Sequence, residues 1–215
     1  MHLIVIAKTP SPGRVKTRLC PPCTPREAAA IAQAALTDTL EATVGVCDVE
    51  PVLVLDGEPG PWVPRGMRVI AQHGAGLDER LAAAFDDVGG PALLIGMDTP
   101  QVSRALLAAA CGRLIVGDHD AVLGPATDGG WWAIGLRRPD PSVFLGVPMS
   151  TPRTLRAQRR RLRERRLRVA ELVELRDVDL ARDAIEVARS VPCSRFAAAV
   201  AASAIGRAGL ERVAG

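Results

Sequence analysis

The sequence predicts an α/β fold with a mostly parallel sheet, and three observations support this prediction. Short apolar runs rich in Val, Ile and Leu alternate with longer segments whose apolar residues recur at helical spacing. Several of these runs are continuously apolar, as expected for strands buried on both faces of a parallel sheet. With 215 residues, of which 48% are apolar, the chain can bury the core of a single domain.

The first strand is predicted at Leu3–Ala7, where five apolar residues follow one another. A helix is expected after it, because Thr24 can act as N-cap, Pro25 suits the first turn and Glu27 completes a capping box. Helical spacing continues from there to Val44. Further strands are predicted at 52–55, 67–71, 92–96, 121–123 and 131–136, and further helices over 77–88 and from Pro100 to Cys111, the latter with Thr99 as N-cap.

The composition excludes several classes of protein. The net charge of +3 is far from the basic balance of a dedicated nucleic-acid binder, so nucleic acid is not an expected partner. No apolar stretch approaches the ~20 residues that cross a bilayer, and the apolar start is too short for a signal peptide, so we expect a cytoplasmic protein without a membrane span. Nothing in the sequence specifies an oligomeric state.

The cysteines predict reduced thiols. There are five of them, an odd number in a chain without a signal peptide. Cys20 and Cys23 form a lone C-x-x-C, which no second C-x-x-C or H-x-x-x-H accompanies. We therefore expect neither a zinc site nor a redox pair there.

The loop after the first strand, KTPSPGRVKTR, is predicted to bind phosphate. It contains Lys8 and Lys16, the only lysines of a chain that has 25 arginines, together with the flexible Gly13. Main-chain amides of a turn between strand and helix, joined by cationic side chains, are typical ligands of phosphate oxygens. The loop is not a Walker A motif, because Val15 precedes Lys16, and it lacks G-x-G-x-x-G. A solvated basic loop is the alternative.

Two aspartates follow other predicted strands, and the carboxyl ends of parallel strands meet at one edge of a sheet. Asp98 follows strand 92–96, and a carboxylate opposite bound phosphates is a typical ligand of Mg²⁺ or Mn²⁺; capping of the next helix is the alternative. Asp128 lies in a turn whose two glycines permit close approach of a ligand. Acceptor binding, orientation of an attacking hydroxyl and plain turn formation are all open for Asp128.

Past Thr151 the chain is rich in arginine, with nine between Arg153 and Arg168. No aromatic residues are interleaved for base stacking, and only a narrow apolar seam is present, so we predict a solvated helix face rather than an RNA-binding surface. Residues 1–190 are predicted to form the nucleotide-binding domain. Residues 191–215 are predicted to be an Ala-rich helix or tail of the same domain.

Four sequence motifs together resemble a known family: K-T-P-x-P-G-x-V-K-T-R-L in the opening loop, I-G-x-D-T-P at 95–100, G-P-A-x-D-G-G-W-W at 124–132 and the later V-P-M-S-T. They are similar to those of the bacterial glycosyltransferase-A-like proteins, relatives of nucleotide-diphospho-sugar transferases and of molybdenum-cofactor guanylyltransferases. The resemblance covers roughly residues 2 to 190. It implies a three-layer α/β sandwich with a Rossmann-like sheet of the glycosyltransferase-A type.

The resemblance also implies roles for individual residues. A second metal ligand, Asp179, is implied by the D-V-D at 177–179, although the T-P-E that follows it in the family is missing here. Catalytic roles fall on Asp98, Asp128 and Lys16, and metal binding on Asp98 and Asp179. Nucleotide binding is implied for Lys8, Gly13, Lys16, Thr17, Arg18, Gln72, Gly74 and Leu77, and acceptor binding for Asp128, Gly129, Gly130 and Trp131.

The function that follows is a transferase dependent on Mg²⁺ or Mn²⁺, which moves a sugar from a nucleotide-diphosphate sugar to a small-molecule acceptor. Two alternatives remain open at this stage. One is nucleotidyl transfer from a nucleoside triphosphate to a phosphorylated acceptor, with release of pyrophosphate. The other is a non-catalytic nucleotide-binding module.

Overall fold

A computed structural model describes residues 1–208. They form seven strands, six α-helices and two short 3-10 helices, the latter at Thr17–Leu19 and Pro141–Val143. The strands are β1 (His2–Lys8), β2 (Glu50–Asp56), β3 (Arg68–Ala71), β4 (Ala92–Gly96), β5 (Ala121–Pro125), β6 (Trp131–Leu136) and β7 (Val169–Glu171). The helices are α1 (Pro25–Val44), α2 (Leu77–Val88), α3 (Arg104–Ile115), α4 (Thr154–Glu164), α5 (Ala181–Ser190) and α6 (Arg195–Ala202).

The strands form one mostly parallel sheet, in the order β3-β2-β1-β4-β6-β5-β7. Strand β6 pairs antiparallel with β4 and with β5, whereas the other pairings in the described part of the chain are parallel. The carboxyl ends of β1 to β5 therefore lie at one edge of the sheet, where β6 begins. Ligands of open α/β sheets bind at this edge.

Helices cover both faces of the sheet, which confirms the predicted three-layer α/β fold. Alternate residues of β1 point to opposite faces. Leu3 and Val5 pack in a core cluster with residues of α1 and α3, and Ile4 packs in a second cluster with residues of α2 and α4. Because β1 is buried on both faces, its sequence is continuously apolar, and this explains why the strand is readable from the sequence.

Helix α1 begins as predicted. The Thr24 side chain accepts a hydrogen bond from the Glu27 main-chain N–H, and the Glu27 carboxylate accepts one from the Thr24 main-chain N–H. The same carboxylate accepts hydrogen bonds from the Ala204 N–H and from the Arg207 guanidinium. Glu27 thus joins the start of α1 to the end of the described chain.

A third core cluster packs α5 and α6 against α1, with Phe196 and Val200 of α6 fully or almost fully buried. Part of the predicted C-terminal helix or tail therefore packs on the domain as α6. Its last residues, 209–215, lie outside the described part of the chain. Among the described residues, no helix has the length and apolar character needed to span a membrane.

The predicted start of α3 is wrong. This helix begins at Arg104, and Ser103 is its N-cap, because the Ser103 side chain accepts a hydrogen bond from the Leu106 N–H. Residues 99–102 form a turn instead, in which the Val102 N–H donates to the Thr99 carbonyl. Neither Pro100 nor Thr99 therefore starts the helix, and capping of α3 by Asp98 is excluded. The turn leaves Asp98 at the end of β4 without a role in the helix.

The Arg-rich segment is only partly a solvated helix face. Arg160 of α4 is largely exposed and pairs with Glu164 one turn away, as expected for such a face. The Arg161 guanidinium instead donates to the Ser142 and Leu145 carbonyls, at 2.5 and 2.7 Å. Arg159 makes a bidentate pair with Glu171 of β7. The prediction of a solvated face is therefore wrong for Arg161, which holds the preceding loop against α4.

The five cysteines carry free thiols, in agreement with the sequence prediction. Cys23 is buried, and its burial raises the pKa of the thiol. Within residues 1–208, no group of three or more His, Cys, Asp or Glu side chains is arranged to hold a metal ion, and the C-x-x-C motif is no exception.

We expect Glu27→Gln to lower the melting temperature at neutral pH and to have no effect near pH 2. Hydrogen bonds from Thr24 and Arg207 lower the pKa of Glu27 from 4.5 to about 2. A lowered pKa in the folded state contributes stability that is present above pH 4.5 and is lost as the pH falls towards 2. Melting temperatures of wild type and variant across this range test the prediction. Glu164→Gln is the control, because it removes only the pairs of an exposed carboxylate with Arg160 and Arg161. Parallel curves for wild type and Glu27→Gln would contradict the prediction.

Candidate active site

A cleft of about 850 Å³ lies at the carboxyl edge of the sheet. Residues from the ends of β1, β3 and β4, from the start of β6 and from the segment that follows β7 line it. Because β1 lies in the middle of the sheet and β6 further along, the cleft has two sides. We call Lys8, Arg18, Gln72, Leu77 and Arg80 the β1 side, and Asp128, Gly130, Trp131 and Met149, Ser150, Thr151, Pro152 and Thr154 the β6 side.

The β1 side is rigid around Gln72. Its side-chain amide donates to the Ala7 carbonyl at 2.6 Å and to the Val54 carbonyl at 3.1 Å, so both N–H groups serve β1 and β2. Arg80 pairs with Asp56 at 3.1 Å and donates to the Gly74 carbonyl at 3.2 Å. These contacts fix the loop between β3 and α2. The Gln72 oxygen accepts a long hydrogen bond from Arg80, at 3.5 Å, and keeps a second acceptor position for a ligand.

Lys8 is the free cation of the β1 side. It ends β1, is exposed and lines the cleft, and it has no ion-pair partner among the described residues. Its main-chain N–H donates to the Met97 sulfur at 3.4 Å, which places the end of β1 beside the end of β4. An unpaired ammonium at this position can bind a phosphate without first breaking a contact within the protein.

Lys16 is buried under the carboxylates of the cleft instead of lining it. Its ammonium lies 2.5 Å from Asp98 Oδ1 and also donates to the Val178 carbonyl, and only 7% of its side chain is exposed. The Val178 N–H in turn donates to the Asp98 carbonyl at 2.9 Å. Lys16 thereby ties the opening loop to β4 and to the segment after β7.

Arg18 makes the second contact between the opening loop and the carboxylates. Its guanidinium pairs with the Asp179 carboxylate. Both partners line the cleft, and the Arg18 side chain is 71% exposed. Surface pairs of this kind are weak, so the contact can open when a ligand competes for either partner.

Asp177 also lines the cleft, although its role was not predicted from the sequence. Burial, together with the neighbouring carboxylates of Asp98 and Asp128, raises the pKa of its carboxyl to about 7, while Lys16 acts in the opposite direction. One of its oxygens, Oδ1, is buried and has no hydrogen-bond partner in the described part of the chain. The available signal for Asp177 in the sequence was the D-V-D motif at 177–179.

On the β6 side, Asp128 occupies the turn between β5 and β6. Its Oδ1 accepts a hydrogen bond from the Gly130 N–H at 2.7 Å, which leaves Oδ2 available. Gly129 lies against the start of α4: its carbonyl accepts a hydrogen bond from the Leu155 N–H at 2.9 Å. Its φ of +87° and its contact with the Pro152 carbonyl both require glycine.

Most of the predicted site residues do meet in this cleft. Lys8, Arg18, Gln72, Leu77, Asp98, Asp128, Gly130, Trp131 and Asp179 line it, whereas Gly13, Lys16, Thr17, Gly74 and Gly129 do not. Asp177, Arg80 and the 149–154 segment line it without having been assigned there. The V-P-M-S-T motif, which contributes Met149, Ser150 and Thr151, was the available signal for that segment.

The carboxylates of the cleft fit a hard divalent cation by their chemistry. Mg²⁺ and Mn²⁺ prefer oxygen ligands, and Asp98, Asp177 and Asp179 supply them from two neighbouring segments. A bound cation would contact the unpartnered Asp177 oxygen and would reduce the mutual repulsion of the carboxylates. In residues 1–208 these side chains do not form a preassembled set of three ligands. A cation would have to take Asp98 from Lys16 or share it.

Comparisons with known proteins place this cleft in a known fold. Residues 30–151 match the family described as "Uncharacterized protein conserved in bacteria (DUF2064)". No curated protein matches the chain in sequence. A Desulfovibrio desulfuricans structure, provisionally assigned as a nucleotide-diphospho-sugar transferase, has a TM-score of 0.79 and 28% identity, and covers 100% of this chain and 96% of its own.

Two more distant structures are similar in fold. The Thermus thermophilus 2-C-methyl-D-erythritol 4-phosphate cytidylyltransferase has a TM-score of 0.51 and 15% identity, over 89% of this chain and 100% of its own. The Mycobacterium tuberculosis protein Rv0371c, solved in complex with manganese, has a TM-score of 0.52 and 18% identity, over 87% of this chain and 97% of its own.

We expect Gly129→Ala to lower the free energy of unfolding by about 1 to 3 kcal/mol. A Cβ at residue 129 would lie 2.4 Å from the Pro152 carbonyl oxygen, and the backbone is in the left-handed region. Gly112→Ala is the matched control, because a Cβ there meets no atom within 4 Å and the residue lies within α3. That change should raise stability by about 0.5 to 1 kcal/mol. Urea unfolding of both variants tests the contact, and equal effects would contradict it.

Proposed function

We propose that this chain, which belongs to the bacterial family DUF2064, is a metal-dependent transferase that moves a sugar from a nucleotide-diphosphate sugar to a small-molecule acceptor. The observation that carries the proposal is the meeting of a free cation with a cluster of carboxylates in one cleft at the carboxyl edge of the sheet. The similarity to the Desulfovibrio desulfuricans structure supports the coarser statement, a nucleotide-using transferase. We propose that it works in the cytoplasm, in keeping with its free thiols.

The β1 side binds the nucleotide in this proposal. Lys8 and Arg18 contact the diphosphate, Arg18 by exchanging Asp179 for a phosphate oxygen. Gly13 and Thr17 do not line the cleft, and in this proposal they shape the loop that carries Arg18. Lys16 neutralises the leaving group from beneath Asp98 rather than by lining the cleft.

The nucleoside lies against the loop that joins β3 to α2. Leu77 offers an apolar surface. Gly74 does not line the cleft, and it acts in this proposal by letting the loop fold closely against Glu79 and Arg80, with φ of +113°. Gln72 contacts the nucleoside through its oxygen, because its amide N–H groups are committed to β1 and β2. A base that presents an N–H donor to this position is therefore favoured over one that presents an acceptor.

Asp98 and Asp179, together with Asp177, would hold Mg²⁺ or Mn²⁺. Such an ion supplies positive charge to the diphosphate as the sugar departs. The carboxylates at this edge of the sheet repel a diphosphate that has no bound cation. Their negative charge is evident at Asp177, whose pKa is raised by repulsion from Asp98, Asp128 and Asp179. The need for a cation therefore follows from this chain's own charges.

Asp128 acts on the acceptor. Its free Oδ2 accepts the hydrogen bond of the attacking hydroxyl and takes its proton. The hydroxyl oxygen forms a bond to the anomeric carbon of the sugar, and the bond between that carbon and the diphosphate oxygen breaks. Its electron pair leaves with the nucleoside diphosphate, and the proton passes from Asp128 to solvent. Gly129, Gly130 and Trp131 shape the surface on which the acceptor lies.

The proposal predicts that sugar nucleotides raise the melting temperature of the protein more in the presence of Mg²⁺ or Mn²⁺ than in EDTA. Lys8→Ala should weaken this binding by about 1.5 to 3 kcal/mol, because it removes one charge-assisted contact to phosphate. It should leave the ligand-free melting temperature unchanged, since Lys8 has no ion-pair partner among the described residues. A panel of sugar nucleotides and nucleoside triphosphates is titrated into wild type and variant.

Product analysis of the same panel separates the open alternatives. Nucleoside diphosphate released from a sugar nucleotide supports sugar transfer. Pyrophosphate released from a nucleoside triphosphate would show nucleotidyl transfer instead. Binding without turnover that is indifferent to metal would leave a non-catalytic nucleotide-binding module.

A second prediction concerns the metal. Asp98→Asn should lose the part of the sugar-nucleotide affinity that depends on Mg²⁺, about tenfold or more. It should not lower the affinity measured in EDTA, because it removes one of the carboxylates that repel a bare diphosphate. Asp120→Asn is the matched control: Asp120 precedes β5 at the opposite edge of the sheet and pairs with Arg168. Calorimetric titrations with and without metal give both affinities. A metal increment that survives Asp98→Asn would remove Asp98 from the metal site.

A further inference from the structure

The β6 side of the cleft identifies the chemical class of the second substrate, an inference that rests on the proposed function. We propose that the acceptor is an uncharged hydroxyl compound, and that the part of it held in the cleft carries neither a phosphate nor a carboxylate. Three features of the β6 side support this: the distribution of cations, the state of the main-chain amides, and the partners that its polar side chains lack.

Cations are confined to the other side of the cleft. Lys8, Arg18 and Arg80 all belong to the β1 side, where they face the nucleotide. The described residues of the β6 side include no lysine or arginine. Arg153 is adjacent to this side in sequence, but it is exposed and does not line the cleft. A phosphate ester on the β6 side would therefore find no cationic side chain among the lining residues.

Main-chain N–H groups replace the missing cations only in small part, because most of those around the turn and at the start of α4 already donate within the protein. The exceptions among the described residues are the N–H groups of Asp128, Ser150 and Arg156, and two of these three residues line the cleft. In the turn, the Gly129 N–H donates to the Ala126 carbonyl and the Gly130 N–H to Asp128. At the start of α4, the Thr151 N–H donates to Thr154 Oγ1 and the Arg153 N–H to Thr151 Oγ1. The Thr154 N–H donates to the Thr151 carbonyl, and the Leu155 N–H to the Gly129 carbonyl. A helix start in this condition offers no anion site at these amides.

The charge of this region is negative. Asp128 belongs to the β6 side, and Asp98 and Asp177 adjoin it. A second anion brought next to Asp128 would add a like-charge contact that no described lining residue offsets.

A hydroxyl group matches the polar atoms that remain. Oδ2 of Asp128 is available as an acceptor for the O–H. The indole N–H of Trp131 and the Thr99 hydroxyl are buried and have no hydrogen-bond partner in residues 1–208, although both residues line the cleft. A hydroxyl donates one hydrogen bond and accepts others, so it satisfies both kinds of group at once. Met149, Pro152 and the Trp131 ring supply the apolar surface beside them.

The test compares matched pairs of acceptor probes that differ by one phosphate: glycerol with glycerol 3-phosphate, and glucose with glucose 6-phosphate. The probes are titrated into the full chain, with and without saturating nucleoside diphosphate and Mg²⁺. The indole N–H signal of Trp131 in ¹H–¹⁵N spectra, assigned with Trp131→Phe, reports binding on the β6 side. The indole signal of Trp62, which does not line the cleft, is the internal reference. We expect each neutral probe to bind about tenfold or more tightly than its phosphate ester.

A phosphate ester that moves the Trp131 signal at a lower concentration than its neutral parent would overturn the proposal. If neither member of a pair moves the Trp131 signal, the charge preference of the β6 side is measured by quenching of Trp131 fluorescence. The Trp131 contribution is the fluorescence of wild type minus that of Trp131→Phe. Caesium more efficient than iodide supports an acceptor side that rejects anions, and iodide more efficient than caesium overturns it. Asp128→Asn should reduce the preference for caesium.

Failure of the proposed function is read separately. If no sugar nucleotide raises the melting temperature, the proposed function is contradicted, whatever the Trp131 signal shows. If sugar nucleotides bind but phosphate esters bind more tightly than their neutral parents at Trp131, the proposed function stands and this inference is contradicted.

Discussion

The fold concentrates negative charge at one edge of its sheet, and the buried ammonium of Lys16 is the contact on which that arrangement depends. Lys16 lies against the Asp98 carboxylate and the Val178 carbonyl, and the Val178 N–H donates back to the Asp98 carbonyl. Its own backbone is in the left-handed region, with φ of 49°, which costs free energy for a residue with a side chain. The two contacts offset that cost. They also bring the opening loop, β4 and the segment after β7 into one unit.

The order of the strands divides the work of the cleft. Strand β1 lies between β2 and β4, so Lys8 and Gln72 fall on one side of Asp98. The antiparallel β6 lies on the other side of β4, so the turn that precedes it delivers Asp128 and Trp131 to the same edge. Cations and amide contacts gather on the first side, and carboxylate, indole and apolar groups on the second. This matches a transferase with one anionic substrate, the nucleotide, on the first side and one uncharged substrate on the second.

Much of this could be predicted from the sequence because it follows from local patterns. Buried parallel strands are continuously apolar, and their carboxyl ends meet at one edge, so the placement of Lys8, Asp98 and Asp128 around a common cleft required only the strand positions. The family resemblance added Gln72 and Asp179, both of which line that cleft. The capping box of α1 is a local contact, and it was predicted for the same reason.

What could not be predicted depends on contacts between distant segments. The burial of Lys16 requires Val178, which is 162 residues away. The raised pKa of Asp177 depends on its burial and on the carboxylates of Asp98 and Asp128, which come from two other segments. The predicted start of α3 was wrong because the sequence offers two favourable signals, a proline for the first turn at Pro100 and a serine N-cap at Ser103. Only the turn that residues 99–102 form in the folded protein selects Ser103. Arg161 has the same composition signal as Arg160, and only tertiary structure shows that it binds the Ser142 and Leu145 carbonyls.

The pair between Arg18 and Asp179 has a thermodynamic consequence for the order of events at the cleft. Each partner occupies a group that a ligand needs, since a phosphate needs Arg18 and a cation needs Asp179. A phosphate that takes Arg18 releases Asp179, and a cation that takes Asp179 releases Arg18. Linkage requires that the two effects on affinity be equal in size. This single surface pair is therefore enough to make nucleotide and metal bind cooperatively, even without a change in the fold.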